Sequence, residues 1–228
     1  MTKSIVVVGA SRGIGCEIVK QLAENSDNTI LALSRNVLKM ESEFAEFGNV
    51  SCEKLDLASE TVKTDCEVLF GGLTAIDVLI NNAGFLINKP FTELTREEIQ
   101  ASYDVNVFGV METVQAALSK MSIGHIVNIS SIGGFQGSVK FPGLTAYSTS
   151  KAALCSFTEL FAEEYKDTSI KMNCLCLGAA QTEMLEEAFP GYEAPVNAEK
   201  MAEYIVDFSL NGDQWFNGKI IPVSLSTP

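Results

Sequence analysis

Histidine is nearly absent from this sequence, and positive charge is scarce. His125 is the single histidine of 228 residues, so a metal site built on histidines is excluded, as is a Ser-His-Asp triad unless His125 supplies it. We predict that His125 is structural or lies at the surface. The chain has 16 Lys and Arg against 29 Asp and Glu, a formal net charge of -13. Because such a chain repels polyanions, the composition predicts no nucleic-acid partner and no membrane partner.

Long hydrophobic segments are also missing. No segment approaches a transmembrane helix in length, and the apolar run 5–8 is too short for a signal peptide. The six cysteines are scattered, at Cys16, Cys52, Cys66, Cys155, Cys174 and Cys176. Cys174 and Cys176 fall in one predicted strand, and we expect them to point to opposite faces of the sheet, which argues against a shared metal. The sequence therefore predicts no bound metal, reduced thiols and a cytoplasmic location.

Short apolar runs alternate with longer helical patterns along the whole chain. Strands are predicted at 5–8, 29–33, 50–55, 76–80, 125–129, 170–177 and 219–223. Helices are predicted near 14–25, 36–46, 59–71, 95–121, 145–167 and 197–210. Continuous apolar strands separated by helices indicate a parallel sheet that is covered on both faces. We therefore predict a single α/β domain over residues 1–228, with a doubly wound (Rossmann-type), seven-stranded parallel sheet whose ligands bind beyond the carboxyl ends of the strands.

A glycine-rich turn follows the first predicted strand and opens the first helix. Its glycines let the backbone turn sharply and approach a pyrophosphate, and the N–H groups at the helix start then point at the phosphate. A turn that binds nothing is the alternative, but the strand–turn–helix context favours a dinucleotide site. The predicted cofactor contacts in this turn are Gly9, Ser11, Arg12, Gly13, Ile14 and Gly15.

The residues after the following strands predict which dinucleotide binds. Ser34 and Arg35 come where an NAD-binding protein would offer a carboxylate to the ribose 2′-hydroxyl. The guanidinium groups of Arg35 and Arg12 can instead bind a 2′-phosphate by charge-assisted hydrogen bonds. The sequence therefore favours NADP(H); the alternative is that Arg35 is a surface cation and either cofactor is accepted. Further cofactor contacts are predicted after the third and fourth strands, at Asp56, Leu57, Asn82, Ala83 and Gly84.

Tyr147 and Lys151 open a later helical pattern and lie four residues apart, on one helix face. A lysine ammonium near a phenol favours the phenolate and is expected to lower the tyrosine pKa from about 10 toward neutrality, as a general acid/base requires. An amphipathic helix surface would explain the pair if it stood alone. It does not stand alone, because the motifs follow the order found in the short-chain dehydrogenase/reductase family: the glycine turn, Asn81-Asn82-Ala83-Gly84, Asn106, Ser131, Tyr147 and Lys151.

The resemblance to this family covers essentially the whole chain and implies a role for each catalytic-type residue. It implies that Tyr147 protonates a carbonyl oxygen while the nicotinamide delivers hydride, and that Lys151 holds the nicotinamide ribose and lowers the tyrosine pKa. It implies that Ser131, with Ser130 as the register alternative, hydrogen-bonds the substrate oxygen. It further implies that Asn106 kinks the middle helix and positions a water for proton relay.

The sequence departs from the family pattern around the predicted substrate pocket. Gly178 and Thr182 match positions near the nicotinamide carboxamide, but Leu177 replaces a proline and loses its fixed torsion, so a looser loop is expected. The segment 132–146 is longer than the resemblance leads us to expect, and its extra residues should lie at the pocket mouth. The segment 183–196 is short for a substrate lid, which predicts an open pocket or coverage by a partner subunit.

These observations predict an NADP-dependent oxidoreductase that acts on a carbonyl/alcohol pair, with a hydrophobic carbonyl compound as substrate. The predicted pocket residues are apolar: Gly133, Phe135, Phe141, Leu86, Met184 and Leu185. The alternatives are a catalytically silent NADP-binding sensor or regulatory protein, a 3-oxoacyl thioester reductase and, more weakly, a carbohydrate epimerase. The resemblance also implies a homodimer or homotetramer formed through the helices near 95–121 and 145–167, although their apolar residues can instead pack on the chain's own sheet.

Overall fold

Strands and helices alternate along the chain, as the apolar pattern predicts. The computed structural model describes residues 2–225. Its strands are β1 (Ser4–Val8), β2 (Thr29–Ser34), β3 (Val50–Lys54), β4 (Val78–Asn81), β5 (Ile123–Ser131), β6 (Ser169–Leu177), β7 (Ala180–Gln181), β8 (Val196–Asn197) and β9 (Ile220–Val223). Its α-helices are α1 (Gly13–Ala23), α2 (Val37–Glu43), α3 (Val62–Gly71), α4 (Arg96–Tyr103), α5 (Gly109–Ala117), α6 (Thr145–Glu164), α7 (Glu183–Ala188) and α8 (Ala198–Asn211). Within the described range, no helix combines the length and the apolar character needed to cross a membrane.

The main sheet has seven strands in the order β3-β2-β1-β4-β5-β6-β9, and every neighbouring pair is parallel. The chain builds outward from β1 to β3, then returns to place β4 on the other side of β1. This reversal leaves a crevice beyond the carboxyl ends of β1 and β4. The predicted doubly wound fold is confirmed, and the crevice is where the site described below lies.

The strands are buried on both faces, which is why they appear in the sequence as continuous apolar runs. Alternate residues of a strand point to opposite faces. Ile5 and Val7 of β1 accordingly pack in a core layer with α1 and α8. Val6 and Val8 pack in the opposite layer with α3, α5 and α6. The two layers hold the sheet rigid, so that the turns at its carboxyl edge have a fixed base.

The predicted middle helix, 95–121, is interrupted. Residues Asp104–Phe108 form a π-helical turn between α4 and α5, and Leu118–Lys120 end the segment as a 3-10 turn. After the π-turn, the backbone of Gly109 lies close to the loop that follows β3. A Cβ on Gly109 would lie 2.5 Å from the Leu57 carbonyl oxygen. The hydrophobic pattern with a period of 3.6 residues does not reveal the extra residue of a π-turn. The sequence pattern therefore predicts one continuous helix. Such turns often occur at functional sites.

Two elements near the carboxyl edge of the sheet were not predicted. β7 and β8 form a two-stranded parallel sheet in which Ala180 pairs with Val196 and Gln181 with Asn197. The helix α7 lies between them and is capped by the Thr182 side chain, which accepts a hydrogen bond from the Leu185 N–H. Elements of two and six residues are too short for periodicity to detect. Together they close the short segment 183–196 into a structured loop.

The expectation that Cys174 and Cys176 face opposite sides of the sheet is wrong. Residues two apart in a strand share a face, because side chains alternate with a period of two. Both side chains of β6 point toward α6, where they meet Cys155. The sequence argument against a shared metal therefore fails, and this cluster is considered separately below.

His125 is buried in β5, in a neutral hydrogen-bonded setting. Its Nδ1 donates to the Ser209 carbonyl oxygen at 3.0 Å, and its Nε2 accepts from the Asn173 amide at 3.0 Å. Its ring also packs on Phe208, with ring centroids 5.5 Å apart. Burial lowers the pKa of His125, against a smaller raising effect of the hydrogen bond to Ser209. The structural prediction for His125 agrees with this environment.

We expect the free energy of unfolding to fall as the pH is lowered below about 6.5, the pKa of an unfolded histidine. Because the folded-state pKa is lower, the unfolded chain binds the proton first, so this contribution is complete above about pH 6.5 and is lost toward acid, by at most about 1.4 kcal/mol per pH unit. Histidine proton NMR reads the folded and urea-unfolded pKa without ambiguity, since the chain has one histidine. Equal pKa values in the two states would contradict the prediction, and His125→Gln should show no such slope between pH 5 and 6.5 on this scale.

Candidate functional site

A cleft of about 410 Å³ opens at the carboxyl edge of the sheet. It runs from the turns after β1 and β2, past β4, to the turns after β5 and β6. Most of the residues predicted from the sequence line it: Gly9, Ser11, Arg12, Gly13, Ile14, Ser34, Arg35, Asp56, Leu57, Asn82, Ala83, Gly84, Ser131, Tyr147, Lys151, Gly178 and Thr182. One cleft therefore brings together the predicted cofactor contacts of residues 9–84 and the predicted catalytic residues Ser131, Tyr147 and Lys151, which are far apart in the sequence.

The glycine turn is shaped by close backbone packing. Gly9 has φ +89° and Gly13 has φ +54°, both in the left-handed region that favours glycine. A Cβ on Gly9 would lie 2.6 Å from the Ala83 backbone, and one on Gly15 would lie 2.1 Å from the Gly9 carbonyl oxygen. The Asn82 side chain donates to that same oxygen at 3.0 Å. The turns after β1 and β4 are thus locked together, and α1 starts with its N–H groups facing the cleft.

Gly15 does not line the cleft, although the sequence predicts it as a cofactor contact. It is buried beneath the turn, where the Gly9 carbonyl and the Asn82 amide occupy the space that a side chain would need. Its part is to let α1 pack against the turn. The prediction is corrected in this respect: Gly15 supports the turn from below.

Arg12 is held by the lid helix α7. Its two terminal nitrogens bind the two carboxylate oxygens of Glu187 at 2.5 and 3.2 Å, a fork-like pair that joins residues 175 positions apart. Both side chains are substantially exposed, at 41% and 62%. The hydrogen bond to Glu187 raises the pKa of Arg12 and lowers the pKa of Glu187. Lys39 lies 3.8 Å from Glu183 at the start of the same helix.

The lid segment 183–196 lines the cleft from within the chain. Besides the Arg12 contact, the Asn88 side chain donates to the Ala188 carbonyl oxygen at 2.9 Å, which ties the end of α7 to the loop after β4. Phe189 and Tyr192 line the cleft. The segment therefore lines one side of the cleft, with β7 and β8 pairing at its two ends, and the expectation of an open pocket or partner coverage stays a prediction.

Tyr147, Ser131 and Lys151 lie together at the other end of the cleft. Ser131 ends β5, and its side chain lies near enough to the Tyr147 phenol to act on the pKa of that group. Lys151 follows Tyr147 by one turn of α6 and donates from Nζ to the Ile129 carbonyl oxygen at 2.8 Å. The neighbouring Ser130 is buried, and its hydroxyl donates to the Lys151 carbonyl oxygen at 2.8 Å. Ser131 is therefore the serine that shares a site with Tyr147, and Ser130 supports the helix.

The pKa of Tyr147 is shifted in the opposite direction to the sequence-based expectation. Burial of the phenol raises the pKa to about 12, against a smaller lowering effect of the Ser131 hydrogen bond. Burial also lowers the pKa of Lys151 to about 8. Lys151 Nζ lies 5.9 Å from the centre of the Tyr147 ring. The lysine is near the phenol, but the loss of solvation is the largest cause of the pKa shift at both groups.

Asn106 occupies the π-helical turn, away from the cleft surface. Its side-chain oxygen accepts from the Phe85 N–H at 2.8 Å, and its amide donates to the Phe85 carbonyl oxygen and to the Ser150 hydroxyl, each at 2.9 Å. Both N–H groups of the amide and one lone pair of its oxygen are used by these two residues. Asn106 thus holds the loop after β4 against α6. In this arrangement its side chain is a positioning group, and the water relay implied by the resemblance stays a prediction.

The apolar end of the cleft differs from the prediction at two positions. Leu86, Phe141, Met184 and Leu185 line it as predicted, but Gly133 and Phe135 do not. The 3-10 turn Ile132–Gly134 directs the chain back against α6, where a Cβ on Gly134 would lie 2.7 Å from the Ala152 backbone nitrogen. Phe135 lies outside the cleft and packs on Cys155, Cys174 and Cys176. Residues that the sequence did not single out also line the cleft, among them Phe85, Val105, Leu144, Phe189 and Tyr192.

Leu177 ends β6, where the family pattern has a proline. Here the backbone is ordered by the sheet, because Leu177 pairs with Val223 of β9. The Gly178 N–H donates to the Val223 carbonyl oxygen at 2.9 Å. Thr182 follows and packs against Gly13, where a Cβ would lie 3.2 Å from the threonine methyl group. Pairing with β9 thus orders the backbone that a proline torsion would otherwise restrain.

Comparison with known proteins agrees with this geometry. A family model described as short chain dehydrogenase matches residues 3–193. The chain is 33% identical over 194 residues to a diacetyl reductase [(S)-acetoin forming] of Staphylococcus epidermidis. The alignment covers 81% of this chain and 74% of that protein. It is 26% identical over 245 residues to a 3-oxoacyl-[acyl-carrier-protein] reductase of Chlamydia trachomatis, which covers 98% and 96%.

Solved structures share the fold over nearly the full length. A short chain dehydrogenase from Salmonella enterica serovar Typhi superposes with a TM-score of 0.86 at 26% identity, covering 97% of this chain and 96% of that one. A short chain dehydrogenase from Burkholderia cenocepacia, solved in complex with NADP, superposes with a TM-score of 0.87 at 24% identity, covering 97% and 96%. The motif order, the sheet topology and these matches agree. The chain belongs to the short-chain dehydrogenase/reductase family of oxidoreductases.

Proposed function

We propose that this protein is an NADP-dependent reductase of carbonyl compounds, with Tyr147 as the general acid. The observation that carries the proposal is the convergence of Tyr147, Ser131 and Lys151 at one end of a cleft whose other end is a glycine turn at a helix start. The cleft fits a dinucleotide, since Gly9 and Gly13 leave its phosphate end free of side chains. Bound NADPH supplies the hydride.

The protein's own groups then account for binding and proton transfer. Ser131 donates a hydrogen bond to the substrate oxygen and orients the carbonyl toward Tyr147. The Tyr147 hydroxyl gives its proton to that oxygen. Lys151, held by the Ile129 carbonyl, offers its remaining N–H groups to the cofactor ribose. The raised pKa of Tyr147 keeps the phenol protonated at neutral pH, which suits a proton donor in the direction of reduction.

NADP(H) is proposed over NAD(H) on the charges at the glycine-turn end. Arg12 and Arg35 both line the cleft there. No carboxylate stands at the end of β2, where Ser34 instead hydrogen-bonds Ser11 at 2.8 Å. A 2′-phosphate has the charge and geometry that two guanidinium groups recognise. It would compete with Glu187 for Arg12.

Removing that competitor should strengthen NADPH binding. We expect Glu187→Gln to lower the Kd for NADPH by about two- to fivefold, the effect typical of an exposed ion pair, and to leave the Kd for NADH unchanged. The gain should shrink as salt is added, because both charges are exposed. Titration of nucleotide fluorescence measures both constants. Glu186→Gln, on the same helix but bonded to the Gly191 N–H, is the matched control; equal effects of both variants, or equal gains for both nucleotides, would contradict the competition.

We propose a small or elongated hydrophobic carbonyl compound as substrate. Support comes from the apolar side chains at the Tyr147 end, namely Leu86, Phe141, Met184, Leu185 and Phe189. The relatives that act on diacetyl and on 3-oxoacyl thioesters suggest two probes. The test follows NADPH oxidation with diacetyl, aromatic ketones and a 3-oxoacyl thioester, each repeated with NADH. Absence of turnover across a broad carbonyl panel, together with tight NADPH binding, would favour a sensor or regulatory protein.

We also propose that the protein works as a homodimer or homotetramer in the cytoplasm. The π-turn residues divide between two environments, since Val107 is buried in the chain's own core and Phe108 is 48% exposed. Leu160 of α6 is exposed as well, and α4 and α6 are in contact. A shared apolar surface on these helices suits a self-association interface. Light scattering measures the assembly directly, and a monomer at micromolar concentration would contradict it.

A further inference from the structure

Three cysteines meet between α6 and β6, one helical turn beyond Lys151. The Cys155 sulfur lies 3.5 Å from that of Cys176 and 3.9 Å from that of Cys174. All three sulfur atoms lie within 4.8 Å of one another. None of the three lines the cleft, and the proposed reduction uses none of them. Such a cluster of soft ligands requires its own interpretation.

The convergence arises from the two kinds of element that face each other. Cys174 and Cys176 are two residues apart in β6 and share the face that α6 covers. Cys155 comes down from α6, four residues after Lys151 and so on the same side of that helix. Phe135 and Ile220 pack around the sulfur atoms and exclude water. One residue of α6 and two residues of β6 therefore hold the three thiols close together.

The spacing matches that of thiolates around one ion. With Zn–S bonds of about 2.3 Å, the sulfur atoms of a tetrahedral site are about 3.8 Å apart. Two of the three separations, 3.5 and 3.9 Å, lie on either side of that value, and the third is at most 4.8 Å. The Ser130 hydroxyl, which donates to the Lys151 carbonyl oxygen, lies at the edge of the cluster with its oxygen 3.5 Å from the Cys155 sulfur.

The charge at the site also fits a divalent ion. Three thiolates and one divalent cation carry a net charge of about −1, which a buried site tolerates only beside a positive group. The buried Lys151 ammonium supplies that charge, and the three cysteines lie close enough to act on it electrostatically. A thiophilic ion is selected over Mg²⁺ or Ca²⁺, because those ions prefer oxygen ligands.

We propose that Cys155, Cys174 and Cys176 bind one thiophilic divalent cation of the Zn²⁺ type, coordinated by three thiolates. The sequence signal for this site is weak, because the ligands come as one residue on a helix and an alternate pair on a strand. None of the three proposed ligands lines the nucleotide cleft, so the occupancy of the site can be measured without turnover.

The test titrates Cd²⁺, as a spectroscopic probe for Zn²⁺, into the full-length protein in a thiol-free phosphine reductant. We expect thiolate-to-metal charge-transfer absorption that saturates at one ion per chain and disappears when excess Zn²⁺ displaces the probe. Cys155→Ala and Cys174→Ala should each weaken binding by at least about tenfold, since even an outer-shell partner is worth that much. Competition with a chelating dye provides the affinity.

The control is Cys66→Ala, which removes another buried thiol, one that lies between α3 and α5 and is hydrogen-bonded to Thr113, away from the three-cysteine cluster. It should leave the titration unchanged. If the cluster variants fail to fold, as judged by circular dichroism, the titration of the parent protein still decides. A folded parent that gives no charge-transfer band, a band that survives both cluster substitutions, or a disulfide between two of the three cysteines that persists under reductant would each overturn the proposal.

Discussion

Tyr147→Phe is expected to lower kcat for NADPH-dependent carbonyl reduction by about 10²- to 10⁴-fold. The substitution removes the phenol hydroxyl beside Ser131 and keeps the aromatic ring at the start of α6. The fold should therefore be retained. Since the hydroxyl acts when the carbonyl oxygen gains charge, the loss should appear in kcat, with the Kd for NADPH unchanged within about twofold.

Stopped-flow or steady-state assays with the best substrate of the panel measure the rate, and fluorescence titration measures NADPH binding. Tyr204→Phe is the control, because Tyr204 lies on α8 and stacks on Phe208, outside the cleft. A parental rate in Tyr147→Phe would remove the tyrosine from the mechanism. If the parent protein binds NADPH tightly but turns over no carbonyl compound, the proposed reductase is wrong and a sensor is favoured.

The double variant Arg12→Ala/Arg35→Ala is expected to raise the KM for NADPH by about 10- to 100-fold, as the loss of charge-assisted hydrogen bonds to a phosphate implies. The KM for NADH and the kcat with either nucleotide should stay within about twofold, because the 2′-phosphate is remote from the reacting atoms and contributes uniform binding. The preference for NADPH would then largely disappear.

Paired KM measurements with NADPH and NADH in the parent and the variant check this result. Arg96→Ala, at the start of α4, is the matched control for loss of an arginine. An equal rise in both KM values would mean that the two arginines support the glycine turn in general. An unchanged KM for NADPH would mean that both are surface cations, and the preference for NADP would have to be abandoned.

Part of the site was predictable because its signals are local. The glycine turn needs Gly9 and Gly13 at positive φ whatever surrounds it, so the strand–turn–helix pattern is visible in one short stretch of the sequence. Tyr147 and Lys151 share a helix face by spacing alone. The parallel strands are buried on both sides and therefore appear as continuous apolar runs.

Other parts depended on contacts between distant segments. The partners of Asn106 are Phe85 and Ser150, and nothing near position 106 indicates that its amide is fully used. The pKa of Tyr147 was mispredicted because the sequence indicates the nearby charge of Lys151 but not the loss of solvation, which is a property of the packed cleft. The contact of the lid segment with the glycine turn likewise joins distant residues, Arg12 and Glu187.

By itself the sequence determined the alternation of strands and helices, the place of the glycine turn and the spacing of Tyr147 and Lys151, because each follows from backbone geometry over a few residues. Only the tertiary structure decided that the short lid segment lines the cleft, that Phe135 lies outside it and that three cysteines meet between α6 and β6. Those features depend on which surfaces the packed sheet and helices bring together, and on side-chain directions that the order of residues leaves open.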